Sequence, residues 1–169
     1  MSLQLQLELS LLILLSAFLS MIIGLDRERR DYSAGLRTHM LVGIGACLFT
    51  LLSRYAFPIG DPGRVAAQVV SGVGFLGAGA ILKQRDGVFG LTTAANIWAT
   101  AAVGMAVGTG AWLLALITTL SIWMVLVIIR RAKRVFAPSH YAPRNSSVSQ
   151  FQPAAQRPDA QESRQEVAV

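Results

Sequence analysis

Five apolar stretches, each 17 or 18 residues long, occupy most of the first 130 residues of this chain. They run over Leu9–Leu25, Thr38–Tyr55, Val65–Leu82, Leu91–Val107 and Trp112–Ile129. A helix rises about 1.5 Å per residue, so each stretch would reach roughly 26 Å, close to the thickness of a bilayer's hydrocarbon core. A helix also satisfies its own backbone hydrogen bonds, as hydrocarbon requires. The pattern predicts an all-α, polytopic membrane protein with five transmembrane helices in a bundle packed through small residues.

Basic side chains cluster beside alternate ends of these stretches. The net charge is +6, and ten of the 15 basic residues lie in the first loop, in the third loop and after the fifth stretch. They are Arg27, Arg29, Arg30, Arg37, Lys83, Arg85, Arg130, Arg131, Lys133 and Arg134. Because such residues favour the cytoplasm, we predict an external N-terminus and a cytoplasmic C-terminus. No basic region precedes the first stretch, so we expect a retained helix and not a cleaved signal.

The composition changes after the fifth stretch. Residues 1–134 form the predicted transmembrane domain, whereas residues 135–169 are rich in Pro, Ser, Gln and Ala. Such a segment buries too little apolar area to offset its ordering entropy, so a disordered cytoplasmic tail is predicted. No nucleophile–base pair or metal-ligand cluster stands out, and Gly72–Gly77 matches a dinucleotide fingerprint without the strand it needs. We therefore expect a non-enzymatic protein with no cofactor, metal or nucleic acid.

The third and fourth stretches carry small residues at helical spacing, which allow close approach of neighbouring helices. The packing candidates are Ala67, Ser71, Gly72, Gly74, Gly77, Ala78, Gly79, Ala95, Ala99 and Ala102. We predict that the third helix is central, begins at an Asp61 cap, and turns its bulky valines toward lipid. The small ribbons of the two helices are expected to face each other. That would place the amides of Gln68 and Asn96 inside the membrane, either bridging helices or contacting a substrate or partner.

The acidic residues bear on transport. Glu8, Asp26, Glu28, Asp31, Asp61 and Asp86 all lie at helix ends or in loops. Mg²⁺ is bound through carboxylates, and proton relays use ionisable groups. A solute path built on central acids is therefore not expected, whereas a path lined by carbonyls, amides and hydroxyls stays open.

Four segments carry a recognisable set of motifs: GLDRERR at Gly24–Arg30, AGLRTHMLVGIGA at Ala34–Ala46, DPGRVAAQVVSGVGFLGAGAIL at Asp61–Leu82, and GLTTAANIWATAAVGMAVG at Gly90–Gly108. In this order and spacing they resemble the MgtC/SapB family of bacterial inner-membrane proteins. The resemblance implies five membrane helices, support of growth at low Mg²⁺ and, in some pathogens, survival within host cells. It favours regulation of other membrane proteins, including the ATP synthase, over direct Mg²⁺ transport.

Two features depart from the family pattern. Phe89 stands where members commonly have a basic residue, which weakens an anion-binding role for the turn that follows. Many members also carry a folded cytoplasmic domain after the fifth helix, where this sequence has the predicted tail. The resemblance is therefore to a short form.

Two hypotheses follow. The first is a modulator of another membrane complex, and the second is a transporter or channel for Mg²⁺ or another small solute. The expected partners are the lipid bilayer and a membrane protein, with a homo-oligomer left open. The candidate functional residues are Asp26, Arg27, Glu28, Arg37, Thr38, Asp61, Arg64, Gln68, Thr92, Thr93 and Asn96. Those of the first loop are interpreted either as anchoring residues or as a partner-facing cluster with the turn at Gly90–Thr93.

Overall fold

The computed structural model describes residues 2–29, 32–56, 60–84 and 87–136. Its elements are α1 (Leu3–Glu28), α2 (Leu36–Tyr55), α3 (Pro62–Gly79), β1 (Leu82–Gln84), β2 (Gly87–Phe89), α4 (Leu91–Gly108) and α5 (Trp112–Phe136). Each predicted apolar stretch thus coincides with a helix over most of its length. The chain divides into two compact units after Ile129, and the helices that cluster together belong to the first. The predicted tail from residue 137 onward lies outside the described residues.

Three helices, α1, α2 and α4, are long and apolar enough to cross a bilayer. The apolar run of α5, Trp112–Ile128, is shorter. Helices of this length and composition are those of a membrane protein, as the sequence predicts.

The core forms where α2 and α4 pack against each other and against α1. One apolar cluster joins these three helices to α5 through Leu19, Ile23, Cys47, Leu51, Val103, Val107 and Ala115. A second cluster joins α2, α3 and α4 through Ala46, Val73, Ile97 and Ala101, together with Ala34. Because α2 and α4 contribute to both clusters, they are the central helices.

Glycines set the closest approach between α2 and α4. A Cβ atom on Gly104 would collide with the carbonyl oxygen of Gly43, and one on Gly108 would lie 2.8 Å from the carbonyl oxygen of Cys47. The Ser16 hydroxyl of α1 donates a hydrogen bond to the same Gly43 carbonyl at 2.9 Å. Small residues permit this backbone contact between membrane helices.

The third helix packs through the face opposite to the one predicted. Val69 and Val73 turn toward α2 and α4, whereas most of the predicted packing residues are exposed. These are Ala67, Ser71, Gly72, Gly74, Ala78 and Gly79. A Cβ atom on Gly74 would meet no atom within 4 Å, while one on Gly77 would lie 3.6 Å from Ala94. The expectation of a central α3 with its bulky side in lipid is therefore wrong, because branched side chains make more dispersion contacts in the second cluster.

The fourth helix also uses a different face from the predicted alanine ribbon. Ala95 and Ala102 are exposed and Ala99 is half-buried. The expectation that this ribbon faces the small residues of α3 is wrong, since α3 meets α4 at Ala94 instead. The buried face of α4 combines polar and small residues, including Thr93, Asn96, Thr100 and Gly104.

Two carboxylates cap helices. Asp61 accepts a hydrogen bond from the Gly63 backbone N–H at 2.8 Å, which confirms the predicted start of α3. Glu28, at the end of α1, accepts from the Leu36 N–H at 2.8 Å and so caps α2. A Cβ atom on Gly35 would collide with this carboxylate, so the absence of a side chain there lets Glu28 reach the Leu36 N–H.

A two-stranded antiparallel hairpin, which the sequence analysis did not predict, joins α3 to α4. Leu82 pairs with Phe89, and Gln84 pairs with Gly87. Gly90 follows with a φ of +88°, and a Cβ atom there would collide with the Ala80 carbonyl. The end of α3 and the start of α4 therefore meet through a glycine that no other residue replaces without strain.

Candidate functional site: a buried arginine cluster

Arg27 lies in the last turn of α1 and is only 2% exposed. Its Nη2 donates a hydrogen bond to the Thr93 hydroxyl of α4 at 2.8 Å. Its guanidinium stacks on the Tyr32 ring at 3.5 Å from the ring centre. Burying a charge is costly unless it is paired or hydrogen-bonded. The hydrogen bond to Thr93 therefore holds the end of α1 against the start of α4.

His39 lies one turn into α2 and is fully buried. Its Nδ1–H donates to the Gly35 carbonyl at 2.8 Å, which fixes the ring orientation. A Cβ atom on Gly24 of α1 would lie 2.9 Å from the Leu36 Cα and 3.2 Å from the His39 Cβ, so this glycine lets α1 approach the first turn of α2.

Further polar groups lie deeper in the bundle. Thr93, Asn96 and Thr100 share the buried face of α4, and the Thr100 hydroxyl donates to the Asn96 carbonyl at 2.8 Å. The Asn96 Nδ2 and His39 Nε2 atoms are buried without a hydrogen-bond partner among the described residues, as is the Ser20 hydroxyl of α1. Each leaves a donor or acceptor available to a bridging water or to a neighbouring polar group. We call Arg27, Tyr32, His39, Thr93 and Asn96 the arginine cluster.

The structure brings together only part of the predicted functional set. Arg27 and Thr93 are in contact, and Asn96 lies one turn farther along α4. Asp26 and Thr38 are half-buried near the same end. The other candidates are exposed: Glu28, Arg37, Asp61, Arg64, Gln68 and Thr92. Asn96 is 5% exposed, so its amide is placed inside the chain, whereas Gln68 is on its surface.

Sequence reasoning missed Tyr32, His39 and the two serines of α1. Ser16, Ser20 and Gly24 recur every fourth residue, and this spacing places small side chains along one helix face. This stripe could have indicated which face of α1 is buried, because in the structure it packs against α2 at Gly43 and His39. Within the four described ranges, no three His, Cys, Asp or Glu side chains lie together as a metal site.

The fold is that of a helical membrane protein. Within it, a buried arginine links the end of one helix to the start of another. The chain matches the MgtC family over residues 13–135 and belongs to that family. This confirms the resemblance seen in the sequence.

Curated relatives agree with the family assignment. The chain is 43% identical over 132 residues to a protein of Escherichia coli K12 named "Putative magnesium transporter YhiD", covering 73% of this chain and 61% of the relative. It is 43% identical over 120 residues to MgtC of Salmonella typhimurium LT2, covering 71% and 52%. With MgtC of Brucella abortus it shares 46% identity over 109 residues, covering 64% and 46%. The chain thus spans about half to three-fifths of these relatives. No solved structure matches it.

Proposed function

We propose that this chain is a five-span, non-enzymatic protein of the bacterial inner membrane, with an external N-terminus and a cytoplasmic C-terminus. It supports adaptation to low Mg²⁺ by modulating another membrane complex. Where the bacterium is a pathogen, this role also supports its survival within host cells. By family resemblance, the ATP synthase is one candidate for that complex. The magnesium-related name of the Escherichia coli relative supports the link to Mg²⁺.

Packing supports five spans. α3 contacts α2 and α4 through Val69, Val73 and Gly77, and Ala115 of α5 belongs to the core cluster of α1, α2 and α4. This packing beside the three long apolar helices supports the proposal that α3 and α5 also span. With α3 and α5 included, the distribution of basic residues supports an external N-terminus and a cytoplasmic C-terminus. A reporter fused after Arg134 should then behave as cytoplasmic, and one inserted near Gly60 as external.

The observation that carries the modulator role is the contrast between the interior and the surface at one end of the bundle. Inside, the Arg27–Thr93 hydrogen bond fixes α1 against α4. At the same end, Arg37 of α2 and Thr92 of α4 are exposed. Because the interior holds this end in one arrangement, a partner that binds it loses little conformational entropy. We assign the partner contact to this surface.

Transport is the alternative, and the relative's name favours it. The packing favours modulation, because the backbone contact of Gly43 with Gly104 closes the interface between the two central helices. The carboxylates of the described helices also lie toward helix ends, at Glu8, Asp26 and Glu28, with Asp61 at the α3 cap. Mg²⁺ is usually bound through such oxygens, so a central path would lack its preferred ligands.

The test compares surface and interior variants in the same cells. Arg37→Ala combined with Thr92→Ala should impair growth at low Mg²⁺ while the protein stays abundant in membranes. Asn96→Ala should lower abundance if its amide only packs the core. Normal growth of the double variant would remove these residues from the contact surface. Mg²⁺ flux by wild-type protein in dye-loaded liposomes, abolished in Asn96→Ala, would replace the modulator with a transporter.

A further inference from the structure

We propose that the recess between α2 and α3 binds one acyl chain of a phospholipid, with the lipid phosphate on Arg64. The inference rests on the proposed placement of α3 in the membrane. The recess has a volume of about 640 Å³ and is lined mostly by apolar side chains. Its walls include Val42, Gly45 and Phe49 of α2 and Val69, Gly72 and Leu76 of α3.

Glycines on opposite walls create this space. A Cβ atom on Gly45 or on Gly72 would meet no atom within 4 Å. Phe49 and Leu76, at 55% and 49% exposure, stand at the rim. An empty recess forfeits dispersion contacts along its walls, and apolar walls offer water few hydrogen bonds. A hydrocarbon chain supplies the missing contacts.

The two polar residues of the recess lie at one end of it, one after the other along the axis of α3. Arg64 is in the first turn of α3, and Gln68 follows one turn later on the same face, roughly 6 Å along the axis. A guanidinium fork suits a phosphate, and an amide can donate to the ester carbonyl that follows phosphate and glycerol in a phospholipid. Beyond Gln68 the wall is apolar. The recess therefore presents partners for phosphate, ester and hydrocarbon in sequence.

The length of the recess suits a lipid chain. Arg64 and Leu76 are twelve residues apart, or about 18 Å along the α3 axis, which is close to one leaflet of a hydrocarbon core about 30 Å thick.

The experiment uses the full chain in detergent and counts retained lipids by native mass spectrometry. Wild-type protein should retain one dioleoylphosphatidylglycerol. Gly72→Leu fills the recess and should lower retention about tenfold, whereas Gly74→Leu, outside it on the same helix, should bind like wild type. Arg64→Gln should weaken this lipid about tenfold. The same variant should leave retention of dioleoylglycerol, which has esters but no phosphate, unchanged.

Several results would overturn the proposal. Equal retention by the Gly72→Leu and Gly74→Leu proteins would show that the lipid lies elsewhere. A dimer that dissociates in Gly72→Leu would assign the recess to a second copy. Equal loss of both lipids in Arg64→Gln would remove the phosphate contact. If Gly72→Leu fails to fold, Gly45→Leu blocks the recess from the opposite wall. The reporter fusions test the placement of α3 separately, so a failure of topology is distinguishable from a failure of binding.

Discussion

The two sides of α2 both present glycine, yet they pack differently. Toward α1 and α4, Gly43 has no room for a side chain, because a Cβ atom would collide with the Ser20 hydroxyl and lie 2.9 Å from the Ser20 Cβ. Toward α3, Gly45 faces open space. The two glycines are two residues apart on one helix. A small residue therefore permits close approach of a neighbour without causing it.

What closes the tight side is a matching small residue combined with a hydrogen bond. Gly104 of α4 meets the Gly43 backbone directly, and Ser16 of α1 donates to the Gly43 carbonyl. On the open side, Val69 and Val73 pack into the second cluster while Gly72 lines the recess beside them. Lipid tails are as apolar as valine, so only packing and hydrogen bonds distinguish a protein neighbour from a lipid neighbour.

The largest effect should come from Gly104→Ala on the tight side. The new methyl group would collide with the Gly43 carbonyl, and two backbones have to move apart to admit it. We expect a loss of about 3 kcal/mol in the free energy of unfolding, at the upper end of overpacking effects. Unfolding titrations in mixed micelles would measure it. Gly45→Ala is the matched control and should change little; a comparable loss in the control would mean that the two sides of α2 are equally tight.

Next in size is Thr93→Val, which removes the hydroxyl that Arg27 contacts but keeps the side-chain shape. A hydrogen bond to a buried charge contributes about 1.5–3 kcal/mol, so the unfolding free energy should fall by an amount in that range. Thr92→Val, at the adjacent exposed position, should leave it within about 0.5 kcal/mol. Equal effects at both positions would contradict the role assigned to the Arg27 contact.

The sequence predicts the helices well because apolar length and caps are local signals. The Asp61–Pro62 start of α3 follows from the preferences of those two residues. Which side of α3 faces protein does not follow, because its valine side and its glycine side are both apolar and lipid accepts either. The Arg27–Thr93 contact joins residues 66 positions apart, and no periodicity encodes such a pair. The hairpin was missed because Leu82 continues the apolar run of the preceding helix.

A smaller effect is expected for Glu28→Ala, which removes the cap of α2 on the tight side. The Leu36 N–H would lose its carboxylate partner, and the helix N-terminus would lose a favourable negative charge. Losing such a cap costs about 1 kcal/mol. Glu28→Gln keeps an acceptor oxygen without the charge. Its unfolding free energy should therefore lie between those of wild type and Glu28→Ala. If Glu28→Ala were as stable as wild type in micelle titrations, the start of α2 would be held by other contacts.

The smallest effect should be that of Gly74→Leu, on the exposed face of α3. A leucine there meets no atom of the chain, and it replaces a poor helix former with a good one. The unfolding free energy of the monomer should therefore stay within about 0.5 kcal/mol or rise slightly. Val73→Ala, on the buried face of the same helix, should instead lose about 1–2 kcal/mol because it opens a cavity in the second cluster.

A loss of membrane abundance in Gly74→Leu, with normal stability in micelles, would mean that another chain covers this face in the bilayer. Cross-linking in membranes would then detect a homo-oligomer built on the small residues of α3, and Gly74→Leu would abolish it.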